Sequence, residues 1–159
     1  MRIGIGYDVH RLVRGRPLRL GGVLIDSEWG LAGHSDADAL LHAIGDALLG
    51  ALALGDLGHY FPDTDPAYRG ISSATLLESV MQMVRGRHYR LHNLDAVVIA
   101  QRPRLAVHLP AIRRNLAELL LTDLGSVSVK AKTAESLGAL GRGEGIAVQA
   151  VCLLAPEGC

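Results

Sequence analysis

The sequence predicts an α+β fold: a two-layer single domain whose mixed β-sheet carries three main helices packed on one face, with a small hairpin beside it. Three observations predict it. Segments that alternate in hydrophobicity are interspersed with three longer segments of helical period. No repeat and no linker divides the 159 residues, a length that suits one domain with a substantial core. Apolar residues make up 49% of the chain and charged residues 20%, a globular balance rather than a disordered one.

The elements follow in order. "RIGIGYDVH" alternates cleanly, with Ile3, Ile5, Tyr7 and Val9 on one face and Gly4, Gly6, Asp8 and His10 on the other. "PLRLGGVLID" reads as two short strands turning at Gly21-Gly22. "HSDADALLHAIGDALLGALALG" is the strongest helix, with Ser35 as its cap, Asp38 completing a short capping box, and Leu40, Leu41, Ile44, Leu48 and Leu49 as its apolar face. Residues 56–70 read as a long polar loop, a length that often signals function. A second helix runs from about Ser73 to about His88, and "LDAVVIAQ" is a buried strand. "RPRLAVHLP" is a loop, and "AIRRNLAELLLTDLG" is a third helix ended by Gly125. "SVSVKAKT" and "IAVQAVCLL" are strands, separated by the Gly-rich, irregular "AESLGALGRGEG".

Charge and cysteine usage remove several classes. The formal net charge is zero and no basic stripe exists, which argues against nucleic acid as the partner. Cys152 and Cys159 form no C-x-x-C pair, so neither a thiolate zinc site nor a disulfide framework is expected. The first residues lack the features of a signal peptide. The most apolar stretch, residues 39–55, contains His42 and Asp46 and reads as a buried helix rather than a membrane span. A cytoplasmic location is the expectation, with no membrane partner.

Alternation along the first strand projects Asp8 and His10 from one face, where a D-x-H pair can hold a cation. On the long helix, Asp38, His42 and Asp46 follow i, i+4, i+8 spacing and form one stripe. Burying such groups unpartnered costs about 1–3 kcal/mol each, more when ionised. One arrangement satisfies several at once: His42 joins Asp8 and His10 around a divalent ion, leaving a fourth tetrahedral position open as in catalytic zinc sites, and Asp46 orients a ligating imidazole from behind. The competing structural reading is a capped helix with a solvated polar edge and a core histidine.

"RIGIGYDVHRL", "LAGHSDADALLHAIGDALLGALALGDLGHYFPDTDP", "VVIAQRPRL" and "KAKTAESLGALGRGEGIAVQAV" together resemble the 2-C-methyl-D-erythritol 2,4-cyclodiphosphate synthases, from the first residues to the last strand. The resemblance implies zinc at Asp8, His10 and His42, and a second ion, magnesium or manganese, at Glu135. It implies phosphate contacts for His34, Ser35 and Thr133, with His34 and Thr133 steadying the transition state. It carries substrate contacts onto Asp56, Gly58, Phe61, Asp63 and Asp65, and onto Lys132 and Arg142. The segment Ala100 to Ala106, with Arg104 and Leu105, resembles the family's cytosine pocket. The chain departs from the family at Lys132, where Thr is common, at Arg104, where Lys is frequent, and at Ala139, where a bulky Phe is usual. Ser35, Asp56 and Asp63 are also ordinary cap and turn formers.

The implied reaction is a cyclising phosphoryl transfer in non-mevalonate isoprenoid synthesis that releases CMP from a nucleotide–sugar-alcohol substrate. The implied assembly is a homotrimer with active sites between subunits, and the two-faced apolar character of "SVSVKAKT" and "IAVQAVCLL" fits packing about a threefold axis. The family also occurs fused to a cytidylyltransferase; this chain is expected to perform only the cyclisation. Two other readings are a metal-dependent phosphohydrolase and a non-catalytic diphosphate-binding trimer.

Overall fold

The computed structural model describes residues 1–158; Cys159 lies outside the described residues. The chain forms β1 (Arg2–Arg14), β2 (Leu18–Leu20), β3 (Val23–Ile25), β4 (Trp29–Leu31), α1 (Ala39–Ala51), α2 (Leu57–Tyr60), α3 (Ser73–Arg85), β5 (Tyr89–Ile99), α4 (Leu109–Leu119), β6 (Val127–Lys132), α5 (Gly138–Gly141) and β7 (Gly145–Pro156). Five strands make one sheet in the order β4-β1-β7-β5-β6, and β2 and β3 make the expected hairpin, turning at Gly21 and Gly22 with φ of 61° and 77°. Only β5 and β6 run parallel in the large sheet, joined through α4, so the sheet is mixed. α1 lies over β1 and β7, α3 beside α1, and α4 against β6. Among the described residues, no helix is long and apolar enough to cross a membrane.

β1 and α1 approach more closely than ordinary side chains allow. A Cβ on Gly6 would sit 1.9 Å from the Ala43 carbonyl oxygen, and one on Gly4 equally close to that of Ala47. Strand and helix therefore meet backbone to backbone, running in opposite senses. Ten of the thirteen α1 residues are buried, including every leucine and isoleucine assigned to its apolar face. The outward face of β1, carrying Ile3, Ile5, Tyr7 and Val9, is exposed.

The sequence reading is corrected at several boundaries. β1 continues to Arg14, where it pairs with the unanticipated β4. The cap of α1 is Asp38, not Ser35: its carboxylate accepts the Leu41 N–H and also those of Gly21 and Gly22. A buried carboxylate with three donors is worth more at that point than a serine hydroxyl. Ser35 instead closes a local turn by accepting the Ala37 N–H. Residues 56–70 are not structureless, for they contain α2 and a 3-10 turn at Pro66–Tyr68. α3 stops at Arg85 rather than near 88. α4 stops at Leu119, with Leu121 taking a left-handed φ of 53°, and not at Gly125. The apolar outward stripe sits mainly on β1, since β6 presents Ser128, Lys130 and Lys132 to solvent.

Candidate metal centre

Three donor atoms from β1 and α1 form a triangle. Asp8 Oδ2 lies 2.9 Å from His10 Nε2 and 3.2 Å from His42 Nδ1, and the two ring nitrogens are 3.2 Å apart. Among the described residues this is the one cluster of metal-ligating groups so arranged. The close backbone contact at Gly4 and Gly6 is what allows it, because a Cβ there would push α1, and His42 with it, away from the strand. Asp8 is held well below the usual carboxylate range: burial raises it, but the hydrogen bonds and charges of His10 and His42 lower it further. His10 moves the other way; burial lowers it, and Asp8 more than reverses that.

The donor set fits a divalent ion. His10 Nδ1 donates to the Ala32 carbonyl at 2.7 Å, which leaves Nε2 a lone pair toward the shared point. Ligands on a tetrahedral zinc with bonds near 2.0 Å stand about 3.3 Å apart, close to the spacings here. Two imidazoles and a carboxylate, half-buried and with an open side, match a catalytic rather than a closed structural site.

A cleft of about 350 Å³ opens over the triangle. Of the residues singled out from the sequence, His34, Ser35, Asp46, Asp56, Gly58, Phe61 and Asp63 line it with the three ligands. Asp65 does not; it caps the 3-10 turn by accepting the Ala67 N–H. Asp46 was expected to orient an imidazole, but its Oδ1 accepts the Leu57 N–H at 2.8 Å and anchors α2. The imidazoles are oriented instead by Ala32 on one side and by Ser73 and Ser35 on the other.

The remaining expected residues gather elsewhere. Ile99 and Lys132 pair at the parallel ends of β5 and β6, and the Ala100 N–H donates to the Lys132 carbonyl at 2.9 Å. Ala100 and Leu105 are buried there, while Arg104 and Ala106 are exposed. Thr133 Oγ1 donates to Glu135, and Arg142 pairs with Glu144 at 2.6 Å. Glu135 and Ser136 both adopt left-handed φ, 49° and 62°, a strain that non-glycine residues accept mainly at functional loops. Arg102 ties this region together by stacking on Trp29 at 4.5 Å and donating to the Gly143 carbonyl at 3.3 Å. Both clusters lie at one end of the sheet, since β7 pairs Ile146 with His10 and Ala147 with Ile99. Within one chain they line no common cleft among those described.

Sequence reasoning missed three side chains at the centre. Arg16 donates to the carbonyls of Gly33 and Ser35, at 2.9 and 3.1 Å, and so clamps the backbone on both sides of His34. Asp36 and Ser73 stand behind His42. None carries a spacing signal, because their contacts span 17 to 37 residues.

A strand–helix donor triangle under a cleft, on a mixed sheet with helices on one face, defines an α+β protein with a candidate metal site. The chain belongs to the YgbB family, whose family model matches residues 1–155. It is 58% identical over 154 residues to the 2-C-methyl-D-erythritol 2,4-cyclodiphosphate synthase of Clostridium perfringens, covering 97% of this chain and 99% of that one. It is 61% identical over 155 residues to the synthase of the same name from Desulfitobacterium hafniense, covering 97% and 98%. A solved synthase structure in its CDP-bound form superposes with a TM-score of 0.90 at 42% identity, covering 97% of this chain and all of that one.

Proposed function

We propose that this protein converts 4-diphosphocytidyl-2-C-methyl-D-erythritol 2-phosphate to 2-C-methyl-D-erythritol 2,4-cyclodiphosphate with release of CMP, as a phosphorus–oxygen lyase of the non-mevalonate isoprenoid route. The observation that carries this reading is the Asp8–His10–His42 triangle, a candidate metal site beneath the cleft, in a chain that matches named synthases along nearly its whole length. An oxygen of the 2-phosphate attacks the β-phosphorus. The bond from that phosphorus to the bridging oxygen breaks, and CMP departs with the bond's electrons. The nucleophile belongs to the substrate, so the chain needs no serine or cysteine of its own. Cys152 is buried and its thiol is pushed up to about 11 by that burial, which suits it to a structural role.

In this reading Asp8, His10 and His42 would hold zinc, and Glu135 would hold magnesium or manganese. When bound there, divalent ions would offset the repulsion between approaching phosphates and draw charge from the attacked phosphorus. His34 and Ser35 face the phosphates from the cleft, held in place by the Arg16 clamp. Asp56, Gly58, Phe61 and Asp63 receive the sugar alcohol, and holding both reacting groups in line is worth about 7–11 kcal/mol through effective molarity. Thr133, Lys132, Arg142 and the Ala100–Ala106 segment serve the nucleotide and its diphosphate. They lie apart from the triangle in one chain, which supports a homotrimer in which each site takes its metal ligands from one subunit and its nucleotide contacts from the next. A cytoplasmic location is part of this proposal.

Purified protein should be incubated with the substrate and zinc plus magnesium, and the products followed by phosphorus NMR. A cyclic diphosphate with stoichiometric CMP is expected. Free phosphate would make the protein a phosphohydrolase, and unchanged substrate would leave it a binding protein; either overturns the reading.

A further inference from the structure

The hydrogen bonds behind His42 decide which of its nitrogens is free. Its Nε2 lies 2.9 Å from the Ser73 hydroxyl oxygen and 3.3 Å from that of Ser35. Ser73 is 1% exposed, and its hydroxyl donates to Asp36 Oδ1, the same oxygen that accepts the Ser73 backbone N–H at 3.2 Å. An ionised carboxylate has no proton to give, so the Ser73 proton points at Asp36. The Ser73 oxygen is left with lone pairs toward His42, and Nε2 can bond it only as an N–H donor. A neutral imidazole carries one ring proton, so this bond competes with an Nδ1–H donated to Asp8 Oδ2 at 3.2 Å; where the Ser73 bond holds the proton, the Nδ1 lone pair faces Asp8 Oδ2 and His10 Nε2. Ser35, whose oxygen accepts the Ala37 N–H, stands beyond Ser73, 3.3 Å from Nε2 and 3.5 Å from the Ser73 oxygen.

We propose that Asp36 and Ser73 are positioning residues for metal binding, which fix His42 as its Nε2–H tautomer and aim Nδ1 at the point shared with Asp8 and His10. His10 achieves the same end in one step, through the Ala32 carbonyl. The His42 relay is longer and crosses elements. Ser73 opens α3, and Asp36 sits in the loop before α1, where its own N–H donates to Ile71. The start of α3 is thereby tied to the metal point. Partners of this kind set the basicity and direction of a ligating imidazole, and their loss costs roughly 10–100-fold in metal affinity. The inference rests on the divalent-metal reading above, yet the tautomer can be read without any metal.

Two measurements on the full chain test it. Zinc affinity is taken by chelator competition, and the ring tautomers by long-range nitrogen-15 NMR on metal-free protein at a pH where the imidazoles are neutral. Wild-type His42 should show the Nε2–H pattern. Ser73→Ala should lose that single pattern and roughly 10–100-fold in zinc affinity, with the circular dichroism of the fold retained, and Ser73→Thr should recover both. If Ser73→Ala does not fold, Asp36→Asn carries the comparison, with a smaller loss because its amide oxygen still accepts. A wild-type His42 found as Nδ1–H, or variants with unchanged tautomer and affinity, would overturn the relay. Wild-type protein that bound no zinc would defeat the metal reading alone, and the tautomer pattern would still decide the relay.

Discussion

In the proposed metal site protons and zinc would compete for Nε2 of His10, and that competition would give the site a pH dependence with a definite sign. Asp8 is held well below the usual carboxylate range, because burial, which raises its pKa, is outweighed by two imidazole partners. His10 in the metal-free protein is raised despite its burial, because Asp8 stabilises its protonated form. A folded-state pKa above the unfolded value near 6.5 stabilises the fold fully below about 6.5, and that contribution is lost as pH rises through the raised value. Zinc requires the neutral ring, so its stabilisation runs the opposite way. The gap in Tm between zinc-loaded and metal-free protein should therefore widen as pH rises from about 6 to about 8 at fixed free zinc. Calorimetry at several pH values checks this; a gap that narrows or stays level would remove His10 from the ligand set.

At the scale of elements, the site depends on how near a helix can come to a strand. Gly6 faces Ala43 with no room for a methyl group, and the obstructing atom is a carbonyl oxygen of the helix backbone. Gly6→Ala should cost about 1–3 kcal/mol by overpacking, seen as a fall in Tm of about 2–4 °C per kcal/mol for a chain of this size. It should also weaken zinc binding, because the displaced helix carries His42. An unchanged Tm would mean that β1 and α1 are not locked together as described. This contact marks the limit of what the sequence could reveal. Strand alternation put Asp8 and His10 on one face, and helical period put His42 on a stripe, so the candidate cluster was legible from spacing, while the capped-helix reading stayed open until the three groups were seen to converge. Alternation separates two faces of β1 but does not say which turns inward; here the glycine face does, and the apolar face is left outside. Ser35 and Asp38 are both good caps by chemistry, and the choice fell to Asp38 because the Gly21–Gly22 turn brings it two further N–H donors. Arg16, Asp36 and Ser73 were illegible, since each acts across a tertiary contact that no local pattern encodes.

For the whole molecule, two facts bear on assembly: a set of expected site residues that splits into two clusters, and an apolar strand face with no cover. Ile3, Ile5, Tyr7 and Val9 are 50–71% exposed in a continuous row on β1, more contiguous apolar surface than a monomeric protein usually leaves open. The proposed trimer requires packing on that face to set the metal triangle of one subunit beside the Ala100–Ala106 and Lys132–Glu135 segments of the next. A shared site makes a prediction that a self-contained one cannot. His42→Ala removes a ligand from the first cluster and Glu135→Gln one from the second, so each variant alone should be inactive. In a trimer containing both, one seam joins an intact triangle to an intact second cluster. If equal amounts are dissociated and remixed at random, about three quarters of the trimers are mixed, and activity should return to roughly one quarter of the wild-type rate. Phosphorus NMR on the remixed sample measures it, with ultracentrifugation to confirm the trimer. A remixed sample as inactive as its parents, under conditions where subunits exchange, would place each whole site within a single chain.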